Sequence, residues 1–204
     1  MSDSILDVSP VIPVVVVDDL AAAVPIARAL VAGGVPVIEL TLRTPVALDA
    51  IRAIAAEVPE ILVGAGTVLT PAHAAAAARA GAQFLVSPGA TPDLYAALRD
   101  SGLPSLPGTA TVSEVLGALE AGFSELKFFP AEASGGTAYL SSLTTVVPGA
   151  RFCPTGGITA GSAAAYLALP NVACVGGSWL TPKDAVARGA WHEIEAAARA
   201  ASSR

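Results

Sequence analysis

The chain repeats one pattern eight times: a short β-rich run followed by an alanine-rich segment with the composition of a helix. Strands that are buried on both faces have continuous apolar runs, and their alternation with helices indicates parallel pairing. The runs occupy residues 11–17, 37–42, 61–67, 84–89, 104–109, 125–131, 151–157 and 172–179. Eight such units within 204 residues are typical of the smallest (β/α)₈ barrels.

An open doubly wound sheet is the competing arrangement. It would require a glycine-rich phosphate loop directly after the first strand, and the first run is followed instead by VVVVDDL. No proline-rich linker divides the chain. The sequence therefore predicts an α/β fold, a (β/α)₈ TIM barrel that forms a single domain over residues 1–204.

The composition limits the possible partners. The chain is 53% hydrophobic and 14% charged, which excludes a disordered protein. Its net charge of −6 argues against nucleic acid or an anionic membrane as a partner. The uncharged segment 152–182 contains several prolines and glycines, which indicate soluble core and not a lipid-exposed helix. An anionic ligand would therefore need a local binding site.

The cysteines and the first residues bear on the compartment. Cys153 and Cys174 do not have the spacing of a metal site or a redox pair, so we expect both to be reduced and buried. The first residues lack the pattern of a signal peptide. Together these features predict a cytoplasmic protein.

Lys127 is a charged residue within a hydrophobic run, ELKFFPA, and is one of only two lysines in the chain. Alternation along a strand places Lys127 and Phe129 on the same face. An ammonium group is costly to bury without a partner. A desolvated lysine can serve as a nucleophilic amine that forms a Schiff base, or it can form a structural ion pair. The residues alone leave both hypotheses open.

Glu39 is the second charge inside a hydrophobic strand, VIELTL. It is either a general base directed into the barrel mouth or the partner of Lys127 or Arg43 in a salt bridge. Arg43 follows the strand end, where a guanidinium group can bind a substrate carboxylate. Thr67 and Pro88 end the third and fourth runs, and chemistry in such barrels gathers at these strand ends.

The last two runs contain the sequences CPTGG and GGSW. Glycines let backbone N–H groups approach an anion, and we expect the N-terminus of each following helix to contribute. Loops after the last two strands commonly bind phosphate in this fold, although tight turns would also explain each pair. Because no basic residue lies between Arg151 and Lys183, the anion would be held by backbone amides and Ser178. His73 and His192 fall in helical segments and do not indicate a metal site.

Five motifs in this order and spacing resemble the class I aldolases that cleave 2-keto-3-deoxy-6-phosphogluconate (KDPG) and 4-hydroxy-2-oxoglutarate (KHG). The resemblance extends from about residue 11 to residue 191. The motifs are VIELTLRT, VGAGTVL, ELKFFPAEASGG, FCPTGGI and VGGSWL. A set of this length is more specific than any single motif.

The resemblance implies a role for each candidate residue. Lys127 resembles the Schiff-base lysine and Glu39 the catalytic carboxylate, and the reaction needs neither a cofactor nor a metal. Thr155 matches the threonine that helps to distinguish the configuration of the C4 hydroxyl. The other predicted substrate contacts are Arg43, Thr67, Pro88 and Phe129, of which the first two match positions that hold the pyruvyl carboxylate. The predicted phosphate contacts are Gly156, Gly157, Gly177 and Ser178.

The resemblance also implies a homotrimer and a 2-keto acid or phosphosugar substrate. Thr155 favours the gluconate isomer over its phosphogalactonate epimer. The end of the first run, VVVVDDL, differs from relatives that carry an arginine there. The alternatives are an aldolase for that epimer, a non-catalytic barrel that binds a sugar phosphate, and a phosphosugar isomerase that forms no imine.

Overall fold

The computed structural model describes residues 4–202, which alternate between short strands and helices. The strands are β1 (Val11–Val15), β2 (Val37–Thr41), β3 (Leu62–Gly66), β4 (Phe84–Val86), β5 (Ser105–Leu106), β6 (Gly108–Thr109), β7 (Glu125–Phe128), β8 (Arg151–Pro154) and β9 (Val175–Gly177). The helices are α1 (Leu20–Ala32), α2 (Ala47–Glu57), α3 (Pro71–Arg79), α4 (Pro92–Asp100), α5 (Val112–Glu120), α6 (Gly136–Val146), α7 (Ala163–Leu167), α8 (Lys183–Ala187) and α9 (Trp191–Ser202). A 3₁₀ turn, Ile5–Asp7, precedes β1.

Threonine side chains define where three of the helices begin. Thr70, Thr91 and Thr111 each accept a hydrogen bond from the backbone N–H three residues later, which satisfies one of the free donors of the first turn. At α5 the carboxylate of Glu114 bonds back to the N–H of Thr111 and completes a capping box. These local signals fix the points at which the chain leaves each strand-end loop.

The strands form parallel sheets. Six strands pair in the order β5-β4-β3-β2-β1-β9, and three more pair in the order β6-β7-β8. The run 104–109, predicted as one strand, is divided at Pro107 into β5, which pairs with β4, and β6, which pairs with β7. Proline has no N–H to donate to a strand ladder, which explains the break. The α/β fold with a curled parallel sheet is confirmed.

Glu39 projects from one face of the six-stranded sheet together with residues of three neighbouring strands. Register pairs join Val14 to Glu39, Glu39 to Gly64, and Gly64 to Phe84, and paired residues of parallel strands project to the same side. A Cβ on Gly64 would lie 2.3 Å from the ring of Phe84. The aromatic ring therefore fills the space beside Glu39 that a side chain would otherwise occupy.

A polar cluster occupies the amino ends of β7 and β8. The guanidinium group of Arg151 donates to Glu125 at 3.0 Å and also binds Asp7. The hydroxyl of Ser4 hydrogen bonds to the same Glu125 carboxylate. These contacts hold the turn Ile5–Asp7 against the amino ends of the two strands.

Within residues 4–202, no helix has the length and apolar character needed to cross a membrane.

Candidate active site

Lys127 and Glu39 form a buried ion pair. The ammonium nitrogen Nζ of Lys127 on β7 lies 3.2 Å from Oε1 of Glu39 on β2. The side chains are only 7% and 4% exposed, so each charge depends on the other for compensation. The structure thus brings together the two charges that sequence analysis found inside hydrophobic strands.

The Glu39 carboxylate occupies space that a glycine on the neighbouring strand leaves empty. A Cβ on Gly66 would lie 2.1 Å from Oε1 of Glu39, which is well inside van der Waals contact. Sequence analysis did not identify Gly66 as a site residue. The signal was present in the motif VGAGT, because glycine in the interior of a strand often marks a close approach of another group.

Phe129 packs beside the lysine, as alternation along the strand predicts. Nζ of Lys127 lies 5.4 Å from the centroid of the Phe129 ring, within the range of a cation–π contact. The ring therefore forms an apolar wall next to the amine, and its position fits the predicted substrate contact.

Arg43 and Thr67 meet at the carboxyl ends of β2 and β3. Nε of Arg43 donates to Oγ1 of Thr67 at 3.3 Å, and Arg43 forms no ion pair with any described residue. Thr67 has a φ of 57° and is the one non-glycine residue among residues 4–202 with a positive φ. A β-branched residue in this region is strained, and such strain concentrates at functional sites.

Pro88 packs against a glycine of β6, the strand that pairs with the strand of Lys127. Gly108 pairs in register with Lys127, and a Cβ on Gly108 would lie 2.3 Å from the carbonyl oxygen of Pro88. The loop after β4 thus packs directly against β6. This contact places Pro88 beside the strand that neighbours Lys127.

Thr155 is buried at the end of β8. Its hydroxyl donates to the carbonyl of Cys153 at 3.4 Å, and a Cβ on Gly176 would lie 2.1 Å from its Oγ1. Cys153 pairs in register with Lys127, so Thr155 projects from the same face of the sheet as the lysine. Gly176 is therefore a second glycine whose missing side chain provides room for a predicted site residue.

The two cysteines are free and buried, as predicted. A hydrogen bond to Cys153 and burial raise the pKa of the Cys174 thiol well above its ordinary value. The Cys174 thiol is thus protonated at neutral pH and unreactive.

Residues 155–157, which we call the glycine loop, present free donors. Gly156 and Gly157 have φ values of 104° and 83°, which glycine adopts without strain. The backbone N–H groups of Gly157 and Ser178 donate to no described residue. The helix that follows these glycines, α7, starts at Ala163 and is five residues long. The free amides remain available for an anion.

A cavity of about 680 Å³ lies between the end of β1 and the loop after β9. Its lining includes Ser178 but neither Lys127 nor Glu39, although Val14, the register partner of Glu39, forms part of the wall. Lys183 lies in the same lining. The structure therefore brings one basic side chain to the cavity of Ser178, where the sequence indicated backbone amides alone.

Metal ligands do not cluster in the part of the chain that the structure describes, since no three His, Cys, Asp or Glu side chains there could share an ion. Nδ1 of His73 accepts a hydrogen bond from the N–H of Leu69 at 3.4 Å, and His192 is exposed on α9.

The family of the chain follows from comparison with known proteins. The family model described as "Aldolase: KDPG and KHG aldolase" matches residues 2–197. The chain belongs to this aldolase family. The KHG/KDPG aldolase of Escherichia coli K12 is 52% identical over 200 residues, which cover 98% of this chain and 94% of that protein.

Two solved structures of KDPG aldolases superpose closely on the chain. That from Legionella pneumophila, with pyruvate captured at low pH as a covalent carbinolamine intermediate, has a TM-score of 0.95 and 47% identity, covering 97% of this chain and 96% of that one. That from Zymomonas mobilis, with 3-phosphoglycerate, has a TM-score of 0.91 and 48% identity, covering 97% and 92%. The aldolase family thus accounts for nearly the whole chain.

Proposed function

We propose that this protein is a class I aldolase that cleaves KDPG to pyruvate and glyceraldehyde 3-phosphate, and that also cleaves KHG to pyruvate and glyoxylate. The observation that carries the proposal is the buried pair of Lys127 and Glu39, whose charged atoms lie 3.2 Å apart. The covalent pyruvate carbinolamine of the Legionella pneumophila relative supports a Schiff-base mechanism.

Imine formation begins with proton transfer within this pair. Glu39 takes a proton from the Lys127 ammonium, and the neutral amine adds to the C2 ketone of the substrate. The developing alkoxide is protonated to give a carbinolamine, with Glu39 as the proton donor. Glu39 then removes a proton from the carbinolamine nitrogen and transfers it to the C2 hydroxyl, which leaves as water and gives a protonated imine on Lys127.

The protonated imine then acts as the electron sink for carbon–carbon cleavage. Glu39, now a carboxylate, removes the proton of the C4 hydroxyl while the C3–C4 bond breaks. The electron pair of that bond moves into the iminium group and forms an enamine, and the aldehyde leaves. Protonation at C3 regenerates an iminium, and its hydrolysis releases pyruvate and the free Lys127 amine.

The remaining site residues bind the two ends of the substrate. Arg43, positioned by Thr67 and without a carboxylate partner, binds the pyruvyl carboxylate. Thr155 contacts the C4 hydroxyl. The phosphate is bound by backbone amides of the glycine loop, by Gly177 and by Ser178. Lys183 adds positive charge to the cavity that Ser178 lines. Pro88 and Phe129 supply apolar contacts beside the reacting carbons.

The two sheets close into one (β/α)₈ barrel that forms a single domain. The bridges Phe152↔Val172 and Thr155↔Gly176 support closure between β8 and the segment that contains β9. At the other seam, β5 and β6 are separated only by Pro107 and together count as one interrupted strand.

The chain assembles as a homotrimer in the cytoplasm. Four large apolar side chains among the described residues, Leu20, Leu69, Leu116 and Val146, are 41%, 53%, 49% and 58% exposed and could pack against other copies. Light scattering on the purified protein tests this, and a monomer at micromolar concentration would contradict it.

Borohydride trapping tests the central proposal. With pyruvate present, borohydride should inactivate the enzyme and modify Lys127, as seen by peptide mass mapping. Lys183 and the Lys127→Arg variant, which keeps the charge but cannot form an imine, are the internal controls. Modification confined to Lys183, or no modification with full activity retained, would refute Schiff-base catalysis and favour an isomerase or a binding protein.

A matched pair of substrates tests specificity. We expect cleavage of KDPG to exceed that of its C4 epimer, the phosphogalactonate compound, in kcat/KM. An equal or reversed preference would assign the protein to the epimer.

A further inference from the structure

Tyr166 and Glu132 form a contact outside the residues assigned above. The Tyr166 hydroxyl on α7 donates to Oε1 of Glu132 at 2.7 Å, and Tyr166 is only 2% exposed. Burial and the neighbouring carboxylate raise the pKa of Tyr166, so the hydroxyl stays protonated as a donor. The buried Tyr166 hydroxyl thus hydrogen bonds to the carboxylate of Glu132.

Glu132 packs directly onto the glycine loop. A Cβ on Gly157 would lie 2.6 Å from Cγ of Glu132, so the stem of the glutamate lies against the glycine backbone. The N–H of Glu132 donates to the carbonyl of Gly156 at 3.1 Å, and the N–H of Ala131 donates to that of Thr155 at 2.8 Å. Glu132 therefore contacts the loop through both its backbone and its side chain.

The same contacts connect the glycine loop to the lysine strand. Glu132 lies on the loop between β7, which carries Lys127, and α6. A Cβ on Gly136, the first residue of α6, would lie 3.2 Å from the Tyr166 hydroxyl and 3.8 Å from Oε2 of Glu132. The carboxylate is thus held where the lysine loop, the glycine loop and α7 meet.

We propose that Tyr166 and Glu132 are a positioning pair that sets the glycine loop at the distance from Lys127 that a phosphorylated substrate requires. The inference rests on the proposed function, because it takes the glycine loop as the phosphate site. Neither residue of the pair touches the reacting carbons. Loss of their contact should therefore reduce the preference for phosphate and leave imine chemistry at Lys127 intact.

The test compares KDPG with 2-keto-3-deoxygluconate, which is the same substrate without its phosphate. Tyr166→Phe removes the donor and keeps the ring. We expect it to lower kcat/KM for KDPG by about 10- to 100-fold, mainly through a higher KM, because small displacements of positioning groups have effects of this size. Turnover of the unphosphorylated sugar, and the rate of borohydride trapping with pyruvate, should change by less than about threefold.

Tyr139→Phe is the matched control. Tyr139 stacks on Phe128 with ring centroids 5.7 Å apart, and its hydroxyl bonds to no residue in the described part of the chain. The same chemical change at Tyr139 should leave kcat/KM for both sugars within about threefold of the wild-type values.

Two substitutions of Glu132 separate positioning from general packing. Glu132→Gln keeps the stem and an oxygen that accepts the hydroxyl, so it should retain most of the phosphate preference. Glu132→Ala removes both and should match or exceed the effect of Tyr166→Phe. The double variant should be no worse than Glu132→Ala alone, since the two residues act through one contact.

The outcomes distinguish this inference from the function on which it rests. The positioning role is wrong if Tyr166→Phe keeps the full preference for KDPG. It is also wrong if the variant lowers kcat/KM for both sugars and the rate of trapping by the same factor. In both cases the aldolase proposal stands. If the wild-type enzyme cleaves both sugars with equal kcat/KM, the glycine loop is not a phosphate site, and this inference fails together with that part of the proposed function.

Discussion

Nζ of Lys127 lies 3.2 Å from Oε1 of Glu39, although the two residues are 88 positions apart in the chain and belong to different sheets. Glu39 extends from the six-stranded sheet and Lys127 from the three-stranded sheet. The ion pair therefore exists only when the two sheets face each other across one interior. Chemistry at Lys127 thus depends on the packing of the whole chain and not on a local motif.

Glu39→Gln should separate proton transfer from folding. The amide can still hydrogen bond to Lys127 but cannot shuttle a proton, so we expect cleavage to slow by about 10²–10⁴-fold. Exchange of the methyl protons of pyruvate, followed by NMR in deuterated buffer, should slow in parallel. Near-normal exchange in a folded variant would assign the proton shuttle to another group.

Gly66→Ala should reduce activity through Glu39. The added methyl would overlap Oε1 at 2.1 Å, so the carboxylate must move away from Lys127, and we expect kcat to fall by about 10²-fold or more. Gly117→Ala, where a Cβ meets nothing within 4 Å, is the control. It should keep full activity and gain about 0.5–1 kcal/mol of stability as a helical alanine. A fully active Gly66→Ala enzyme would contradict the proposed position of Glu39.

Thr67→Gly should lower the activity and raise the stability of the protein. The residue has a φ of 57°, and glycine relieves strain of about 1–3 kcal/mol at the cost of greater freedom in the unfolded chain. We expect the free energy of unfolding to rise by about 1 kcal/mol, measured by urea denaturation. Because the hydroxyl that binds Arg43 is lost, kcat/KM should fall about tenfold. Thr67→Ala removes the hydroxyl but keeps the strain, so it should lose activity without gaining stability.

The capping box of α5 should make stability depend on pH. Burial alone would raise the pKa of Glu114, but hydrogen bonds from Ala110 and Thr111 outweigh it and lower the pKa below its ordinary value of 4.5. A depressed carboxyl pKa stabilises the folded state above the unfolded value, and the effect is lost as the pH falls through the folded value.

We therefore expect Glu114→Gln to cost about 0.5 kcal/mol at pH 7, a small value because the group is largely solvated. The difference from wild type should shrink as the pH falls below 4.5. Chemical denaturation at pH 7 and at pH 3 measures both values. A difference that stays constant with pH would show that the carboxylate charge contributes nothing.

Much of the site could be predicted because its residues violate their local pattern. A lysine and a glutamate inside apolar strands are conspicuous, and so Lys127 and Glu39 were found from the sequence. Gly66 was missed as a site residue because its role is to leave space, which depends on a neighbouring strand. Tyr166 was missed because its partner Glu132 lies 34 positions away in the chain. The break at Pro107 was missed because it shows only in the pairing, in which β5 joins β4 and β6 joins β7.

The polar cluster of Ser4, Asp7, Glu125 and Arg151 ties together the amino ends of two strands. Glu125 and Arg151 are register partners at the first positions of β7 and β8, and the guanidinium group of Arg151 bonds to Glu125 and to Asp7. Lys127 follows two positions after Glu125 and so projects from the same face of β7. A contact at the start of the strand thereby helps to set the level at which the amine meets Glu39.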